Sequence, residues 1–256
     1  MKRGWLTAML GLMAFTMAEA RAGSVFLESG GQVVGEAEHF MGRAEYEGQW
    51  DGLRQWLVVP DESSGLGVFQ NARGGEYIQA LPDRGPIDFR YTPTVDYRVR
   101  ITTPGEYQLH LRWDGLNKGS DSIYAGIVEQ ITDWRSGSVR DWYQTSFDPT
   151  PGTDADFSTF PWDGFGGKGT NNYDASPKVP MTWNLAAGDY TLRLRMREDG
   201  VAIDTWILQL SGMPAPTGWG PAESAIVPLP AALPGALGLL GLIGLTRWFR
   251  SRGRER

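Results

Sequence analysis

The sequence contains no cysteine, so disulfide bonds, thiol catalysis and cysteine-ligated metal sites are all excluded. It also lacks any long helical pattern between Gly23 and Ile226, where apolar residues recur mainly with the period of two that is typical of strands. Histidine is scarce as well: with only His39 and His110, a histidine-centred metal site or catalytic triad is not expected. These absences predict an all-β domain that is stabilised by its core or by a metal ion.

Positive charge is scarce in the central part of the chain. The whole sequence has 24 basic and 30 acidic residues. Residues 1–22 and 227–256 hold eight of the basic and two of the acidic ones, which leaves 16 and 28 and a net charge of −12 for residues 23–226. Nucleic-acid binding needs concentrated positive charge, so we expect no nucleic-acid partner. An acidic domain instead favours cations, neutral sugars or basic proteins.

The first 22 residues have the pattern of a secretory signal peptide. Lys2 and Arg3 precede an apolar run over 5–17, and alanines follow at the spacing of a cleavage site. The apolar run is too short for a comfortable membrane span. We therefore predict an exported β-sandwich domain over residues 23–213, followed by a Pro/Gly linker over 214–226.

The C-terminal segment combines three features in a fixed order. Residues 227–245 form an uncharged run of 19, long enough for a transmembrane helix, and five arginines follow it. A short proline-bearing motif opens the run: Val227, Pro228, Leu229, Pro230 and Ala231. This order resembles the PEP-CTERM sorting signal in its Val-Pro-Leu-Pro-Ala form, with Leu229 where the family name has Glu. The resemblance implies an exosortase partner at the inner membrane of a Gram-negative-type bacterium, and a final place at the cell surface or outside the cell. A plain membrane anchor is the alternative.

Two stretches of the central domain carry the same residue pattern. Residues 105–112 and 188–195 both place Gly, an acid, Tyr, Leu, Leu and Arg at equal spacing, which favours equivalent strands in the two sheets of one sandwich. Ahead of the first copy, residues 96–101 alternate polar and apolar side chains up to a turn signal at 103–105. This pattern predicts a hairpin between 96–101 and 107–113, with one buried face and His110 on the outer face.

Three carboxylates are candidates for a metal site. Glu36 and Glu38 stand two apart on a strand predicted over 32–40, so both face the same side, and Asp204 lies on the last predicted strand. If these strands are neighbours, the three carboxylates converge, and like charges that close must be protonated or bridged by a cation. A solvated strand face is the alternative.

The order of short motifs over residues 36–40, 105–112, 120–124 and 197–204 resembles the galactose-binding-like jelly rolls, and among them carbohydrate-binding module family six. The resemblance covers about 35–210 and implies a jelly-roll β-sandwich whose structural Ca²⁺ is held by Glu36, Glu38 and Asp204. It also implies a sugar site in loops at one end, where aromatic rings stack on the pyranose. Carried over to this chain, the candidate ligand-binding residues are Trp113, Asp114, Asn117, Trp134, Trp142, Glu198 and Asp199. Core packing is the alternative for each aromatic. The asparagine usual in the family's last loop is missing, since 197–201 reads Arg-Glu-Asp-Gly-Val.

These features lead to three hypotheses. The first is an exported, exosortase-sorted protein that binds carbohydrate without catalysis, with exopolysaccharide or biofilm matrix as its partner. The second is a structural matrix or adhesion protein on the same calcium-stabilised sandwich, with no specific sugar. The third is a glycoside hydrolase, which would need a pair of carboxylates in a cleft.

Overall fold

The structure of the chain is a computed structural model that describes residues 23–48, 52–67, 69–84, 92–117, 119–133, 138–146, 159–170 and 177–229. Several predicted features lie outside these ranges. They are the signal peptide, Trp134, the motif residues Pro230 and Ala231, and nearly all of the predicted transmembrane helix. Across the described residues, no helix has the length and apolar character that a membrane crossing requires.

Strands make up most of the described chain, joined by loops and by short 3₁₀ turns at 37–39, 73–75 and 128–130. In chain order the strands are β1 Ser24–Leu27, β2 Gln32–Glu36, β3 Gly42–Ala44, β4 Tyr46–Gly48, β5 Gly52–Val59, β6 Tyr77–Leu81, β7 Thr94–Ile101, β8 Gly105–Asp114, β9 Ser122–Ile127, β10 Tyr143–Ser146, β11 Trp162–Asp163, β12 Phe165–Lys168, β13 Val179–Pro180, β14 Thr182–Leu185, β15 Gly188–Met196, β16 Ala202–Leu210 and β17 Ile226–Pro228.

The strands form two sheets that pack face to face. Sheet A has the order β13-β12-β10-β9-β15-β7-β1-β17, with β3 also paired to β7. Sheet B has the order β11-β8-β16-β6-β5-β4, with β14 also paired to β8 and β2 to β16. The prediction of an all-β sandwich is confirmed.

The core between the sheets is centred on aromatic side chains. Trp206 of β16 lies 5.1 Å from Phe26 and 5.0 Å from Tyr97, measured between ring centroids, so residues of both sheets meet there. On the neighbouring strand, Gly35 pairs with Trp206, and a Cβ at that position would lie 2.3 Å from an indole atom. The ring therefore requires glycine at position 35.

The predicted hairpin between 96–101 and 107–113 is wrong. Strand β7 pairs with β15 in sheet A, whereas β8 pairs with β16 in sheet B, so the turn at 103–105 crosses from one sheet to the other. Alternation identifies which side chains are buried, but it does not identify the partner strand. The two copies of the repeated pattern, β8 and β15, do lie in opposite sheets as predicted.

The outer face of sheet B is covered, which the sequence did not predict. Residues 211–225, here called the strap, cross this face: the Gln209 side-chain amide donates to the Pro214 carbonyl at 2.9 Å, and the Val34 amide donates to Ser224 Oγ at 3.0 Å. Beneath the strap and residues 160–164, His110 and Arg112 are only 5% and 6% exposed. The predicted outer-face position of His110 is thus a buried one, and burial lowers its pKa to about 4.

Candidate metal centre and ligand-binding cleft

The predicted strand over 32–40 ends early. Strand β2 stops at Glu36, and Ala37–His39 form a 3₁₀ turn. The backbone groups here have partners outside any strand ladder: the Glu36 amide donates to Glu223 Oε1 at 2.9 Å, and the Tyr97 hydroxyl donates to the Ala37 carbonyl at 2.7 Å. Since both partners are distant in sequence, local alternation could not reveal the turn.

The turn gathers three potential metal ligands. One ligand atom each from Glu36, Glu38 and His39 lies within 4.8 Å of the other two. Glu38 is 8% exposed, and its Oε2 atom is buried without a hydrogen-bond partner. Burial raises the pKa of Glu38 to about 9, and the neighbouring Glu36 and Asp204 carboxylates add to the rise. A buried carboxylate oxygen in this setting needs a proton or a cation.

Asp204 lies beside this group through the pairing of β2 with β16, which confirms that the two strands are neighbours. Its carboxylate is fully buried and accepts hydrogen bonds from the Arg73 amide at 2.6 Å, from the Thr205 hydroxyl at 2.8 Å and from the Arg112 guanidinium. Burial raises the pKa of Asp204, although these donors oppose the rise. Asp204 is therefore engaged by protein donors, whereas Glu38 offers an unengaged oxygen.

The donor set fits a hard divalent cation. Ca²⁺ prefers carboxylate and carbonyl oxygens, and Glu36 and Glu38 supply the former. The unengaged Glu38 Oε2 is the atom that such an ion would satisfy. Gly74 lies close by, where an added Cβ would stand 3.4 Å from Glu36 Oε2, in ordinary van der Waals contact with the carboxylate. Glu36, Glu38 and Asp204 remain the predicted ligands. His39, which the sequence did not single out, lies beside them, but Ca²⁺ prefers oxygen over an imidazole nitrogen.

The strap also contacts the residues around this group of carboxylates. His39 Nδ1 lies 2.7 Å from Glu223 Oε1 of the strap, and Arg73 donates to the Pro221 carbonyl at 2.5 Å. Arg73 Nε also lies 3.2 Å from Glu36 Oε1. The carboxylate group and the strap are thus joined by shared side chains.

An open cleft of about 400 Å³ lies between the strap and the outer face of sheet B. Aromatic rings form much of its lining: Trp219 of the strap is 50% exposed, Trp162 of β11 is half-buried, and Phe160 is buried. The Arg112 guanidinium carbon lies 4.8 Å from the Trp219 ring centroid and 5.7 Å from that of Phe160. Such distances place the cation against the faces of the rings.

Backbone contacts fix the two walls of the cleft. Trp162 Nε1 donates to the Gly218 carbonyl at 3.0 Å, which ties β11 to the strap. Arg112 donates to the Asn71 carbonyl at 3.0 Å, and Asn71 itself is exposed with φ of 62°, a left-handed conformation that asparagine tolerates. The cleft therefore has a fixed basic residue at its base and exposed aromatic and amide side chains at its rim.

The predicted ligand-binding residues lie elsewhere. Trp113 is fully buried in the core, and Trp142 is 2% exposed in a separate cluster with Tyr124 and Ile131, so neither ring has a face open to a sugar in this structure. Trp134 lies outside the described residues. Only Asn117 among the described aromatic and amide candidates is exposed.

Glu198 links two of the loops that carry the polar candidates. Glu198 accepts hydrogen bonds from the Asp121 amide at 3.1 Å and from the Ser122 hydroxyl at 2.6 Å. The Asp114 carboxylate accepts from the Gly115 amide at 2.7 Å, and Asn117 Oδ1 from the Gly119 amide at 2.7 Å.

Asp199 is fully buried and accepts from Arg54 Nε at 2.9 Å. Asp114 and Asn117 thus stabilise their own loop, whereas Glu198 and Asp199 join separate segments. The role of all four in ligand binding stays a prediction.

Sequence reasoning missed the cleft residues. Trp219 lies in the segment predicted as a Pro/Gly linker, and no predicted site includes Phe160 or Trp162. The sequence did offer one signal. Trp219 is a large aromatic residue among small and polar ones, and a flexible linker has no need of such a side chain.

Comparisons with known proteins give structural likenesses only. No family model and no curated protein matches the sequence. Among similar solved structures, a family 35 carbohydrate-binding module from Clostridium thermocellum shares 12% identity at a TM-score of 0.40, over 70% of this chain and 98% of that one. A carbohydrate-binding module of Cellvibrio mixtus lichenase 5A, in complex with cellotriose, shares 14% identity at a TM-score of 0.36, over 70% and 97%.

A β-(1,4)-mannanase of Podospora anserina, which carries a module of family 35, shares 13% identity at a TM-score of 0.39. The likeness covers 73% of this chain but only 29% of the mannanase. TM-scores this low carry no argument about ligand or activity.

Proposed function

We propose that the sandwich binds carbohydrate without catalysing a reaction, and that the sugar lies in the cleft between Trp162 and Trp219. The observation that carries the proposal is the half-exposed Trp219 ring at the mouth of an open cleft of about 400 Å³. This volume lies within the range of small-molecule sites, roughly 300–1,000 Å³.

The chemistry of the lining suits a neutral sugar ring. One face of a pyranose presents C–H groups that pack against an indole, while its hydroxyl groups need polar partners at the edge. Asn71 offers an exposed amide beside the rings. Because Arg112 is paired with Asp204, the base of the cleft carries little net charge. Among the described lining residues there is no carboxylate, whereas a glycosidase uses two.

We also propose that Glu36, Glu38 and Asp204 hold a structural Ca²⁺, supported by the buried and unengaged Glu38 oxygen. When bound, the ion supplies positive charge that neutralises the converging carboxylates. Export, sorting by an exosortase, tethering to the inner membrane through residues 227–245 and an exopolysaccharide or biofilm partner are proposals that rest on the sequence patterns alone.

A glycan array probed with the purified protein, with Ca²⁺ and with chelator, tests the binding. We expect Trp219→Ala to weaken glycan binding about tenfold, the loss of one stacking contact worth ~1.5 kcal/mol. Phe165→Ala is the matched control, since Phe165 is an aromatic of similar exposure, 47%, on β12. An array without any bound glycan, or equal binding by Trp219→Ala and the native protein, would refute the proposal.

The calcium-stabilised matrix protein is the second candidate, and the carboxylate group around Glu38 favours it independently of the cleft. It predicts an empty array together with a melting temperature that rises with Ca²⁺. The two candidates are thus separated by the same experiment.

A further inference from the structure

The start of the sorting-like motif forms the last strand of sheet A. Strand β17 pairs antiparallel with β1, with Val227 opposite Val25 and Pro228 opposite Ser24. The pairing extends beyond the strand at both ends: the Leu27 amide donates to the Ala225 carbonyl at 2.9 Å, and the Leu229 amide donates to the Gly23 carbonyl. The first described residues of the chain therefore bind the residues at which the predicted tail begins.

The register explains how a strand can contain this proline. Hydrogen-bonded and non-bonded pairs alternate in an antiparallel ladder. Since Leu27 bonds to Ala225 and Leu229 to Gly23, the pair between Val25 and Val227 also falls in a bonded position. Pro228 falls in a non-bonded position, where its missing amide hydrogen costs the ladder nothing, and edge strands tolerate such a proline.

Few contacts hold strand β17 on β1. The side chain of Ile226 packs against the core, and the strap residue Ser224 is bonded to Val34. Yet β17 is three residues long and lies at the edge of sheet A, while β1 is also held on its other side by β7. Removing β17 therefore leaves both sheets otherwise intact. Short edge elements of this kind belong to the least stable parts of a fold.

We propose that β1 acts as a latch for the tail, so that the peptide bonds between Ala225 and Leu229 can be cut only after β17 has left β1. A peptidase binds its substrate as an extended chain whose backbone groups are free to pair with the enzyme. In the docked state the backbone groups of Ala225, Val227 and Leu229 are paired with β1. Any enzyme that processes the motif at 227–231 then acts on the undocked state, and its rate depends on how often the latch opens. The proposal is independent of carbohydrate binding.

Proteolysis of the full chain in detergent micelles with proteinase K tests the latch. The rate of cleavage between 225 and 229 is divided by the rate for a free peptide of the same sequence, residues 222–232. We expect at least tenfold protection in the native protein. Val227→Pro removes the amide hydrogen at a bonded position and should bring the ratio close to one. Val227→Thr, which keeps that amide and a branched side chain, is the matched control and should remain protected.

Hydrogen exchange of the Leu27 amide gives a second readout, because its acceptor is the Ala225 carbonyl. Exchange of Leu27 that is faster than exchange of core amides such as Trp206 would support a latch that opens without global unfolding. The proposal is overturned if Leu27 and Trp206 exchange equally slowly, if the native protein is cut as fast as the peptide, or if Val227→Pro stays as protected as Val227→Thr.

Discussion

Replacing Glu28 by glutamine removes a carboxylate that joins two turns of the sandwich. Glu28 follows β1 and is 7% exposed. One oxygen accepts from the Gly31 amide at 2.8 Å and the Thr103 hydroxyl at 3.1 Å, and the other from the amides of Thr102 and Thr103, each at 2.7 Å. The Thr102 hydroxyl also donates to it. In glutamine an NH₂ group would replace one oxygen and face donors only.

The pKa of Glu28 sets the size of the effect. Burial alone would raise this pKa, but the hydrogen bonds from Thr102, Gly31 and Thr103 outweigh burial and lower it from 4.5 to about 2. At about 1.36 kcal/mol per pKa unit, this difference corresponds to roughly 3.4 kcal/mol of stability. Although Glu28 itself is buried, its partners Thr102 and Thr103 are exposed, so nearby solvent screens the carboxylate and we expect ~2 kcal/mol.

The sign of the pH dependence follows from the lowered pKa. The unfolded chain takes up a proton at Glu28 near pH 4.5, whereas the folded chain takes it up only near pH 2. The stabilisation by Glu28 is therefore complete above pH 4.5 and is lost as the pH falls towards 2.

Urea unfolding followed by tryptophan fluorescence at pH 7, 4.5 and 3 measures this contribution. Glu28→Gln should lower the free energy of unfolding by ~2 kcal/mol at pH 7, which corresponds to a drop in melting temperature of roughly 4–8 °C for a domain of this size. Glu106→Gln is the control, because Glu106 is exposed. A difference between native and Glu28→Gln protein that stays constant from pH 7 to pH 3 would refute the reasoning.

Two further predictions concern the metal centre and the core. Ca²⁺ at one hundred times its dissociation constant should raise the free energy of unfolding by about 2.7 kcal/mol, or roughly 5–10 °C in melting temperature, and Glu38→Gln should abolish the response; an equal response in calorimetry of the variant would contradict the assignment. Gly35→Ala should destabilise the domain by about 1–3 kcal/mol because its Cβ overlaps Trp206, and an unchanged urea midpoint would show that the indole can move aside.

The class of the fold could be predicted because the burial of one strand face produces a local pattern of apolar and polar residues in the sequence. In β7, β8 and β15 the buried side chains alternate with polar ones or share a repeated pattern, and this local pattern sufficed to identify strands and to place β8 and β15 in opposite sheets. The choice of partner strand produces no such local pattern. The turn at 103–105 looks the same whether it closes a hairpin or crosses between sheets, and the crossing is decided by packing against distant strands.

The candidate site was harder to predict than the fold. Glu36, Glu38 and Asp204 could be proposed because a resemblance connected the two ends of the domain, and the pairing of β2 with β16 does bring them near one another. The cleft is built from residues near 71, 112, 160 and 219, which no local pattern links. Its key element is the strap, whose proline and glycine content is typical of a linker although its side chains pack on sheet B.

Arg112 joins the metal centre to the cleft, and this connection limits which residues can adapt to a ligand. Its guanidinium is paired with the buried Asp204 carboxylate while it lies against Trp219 and Phe160. Moving Arg112 towards a ligand would take its only guanidinium partner among the described residues from the buried Asp204 carboxylate, and breaking a buried ion pair costs about 3–5 kcal/mol in comparable sites. A single contact with a sugar hydroxyl does not offset this free energy, since a hydrogen bond to a charged group contributes roughly 1.5–3 kcal/mol. The base of the cleft is therefore fixed, and selectivity among ligands rests on the exposed rim: Asn71, and Trp219 with the strap that carries it.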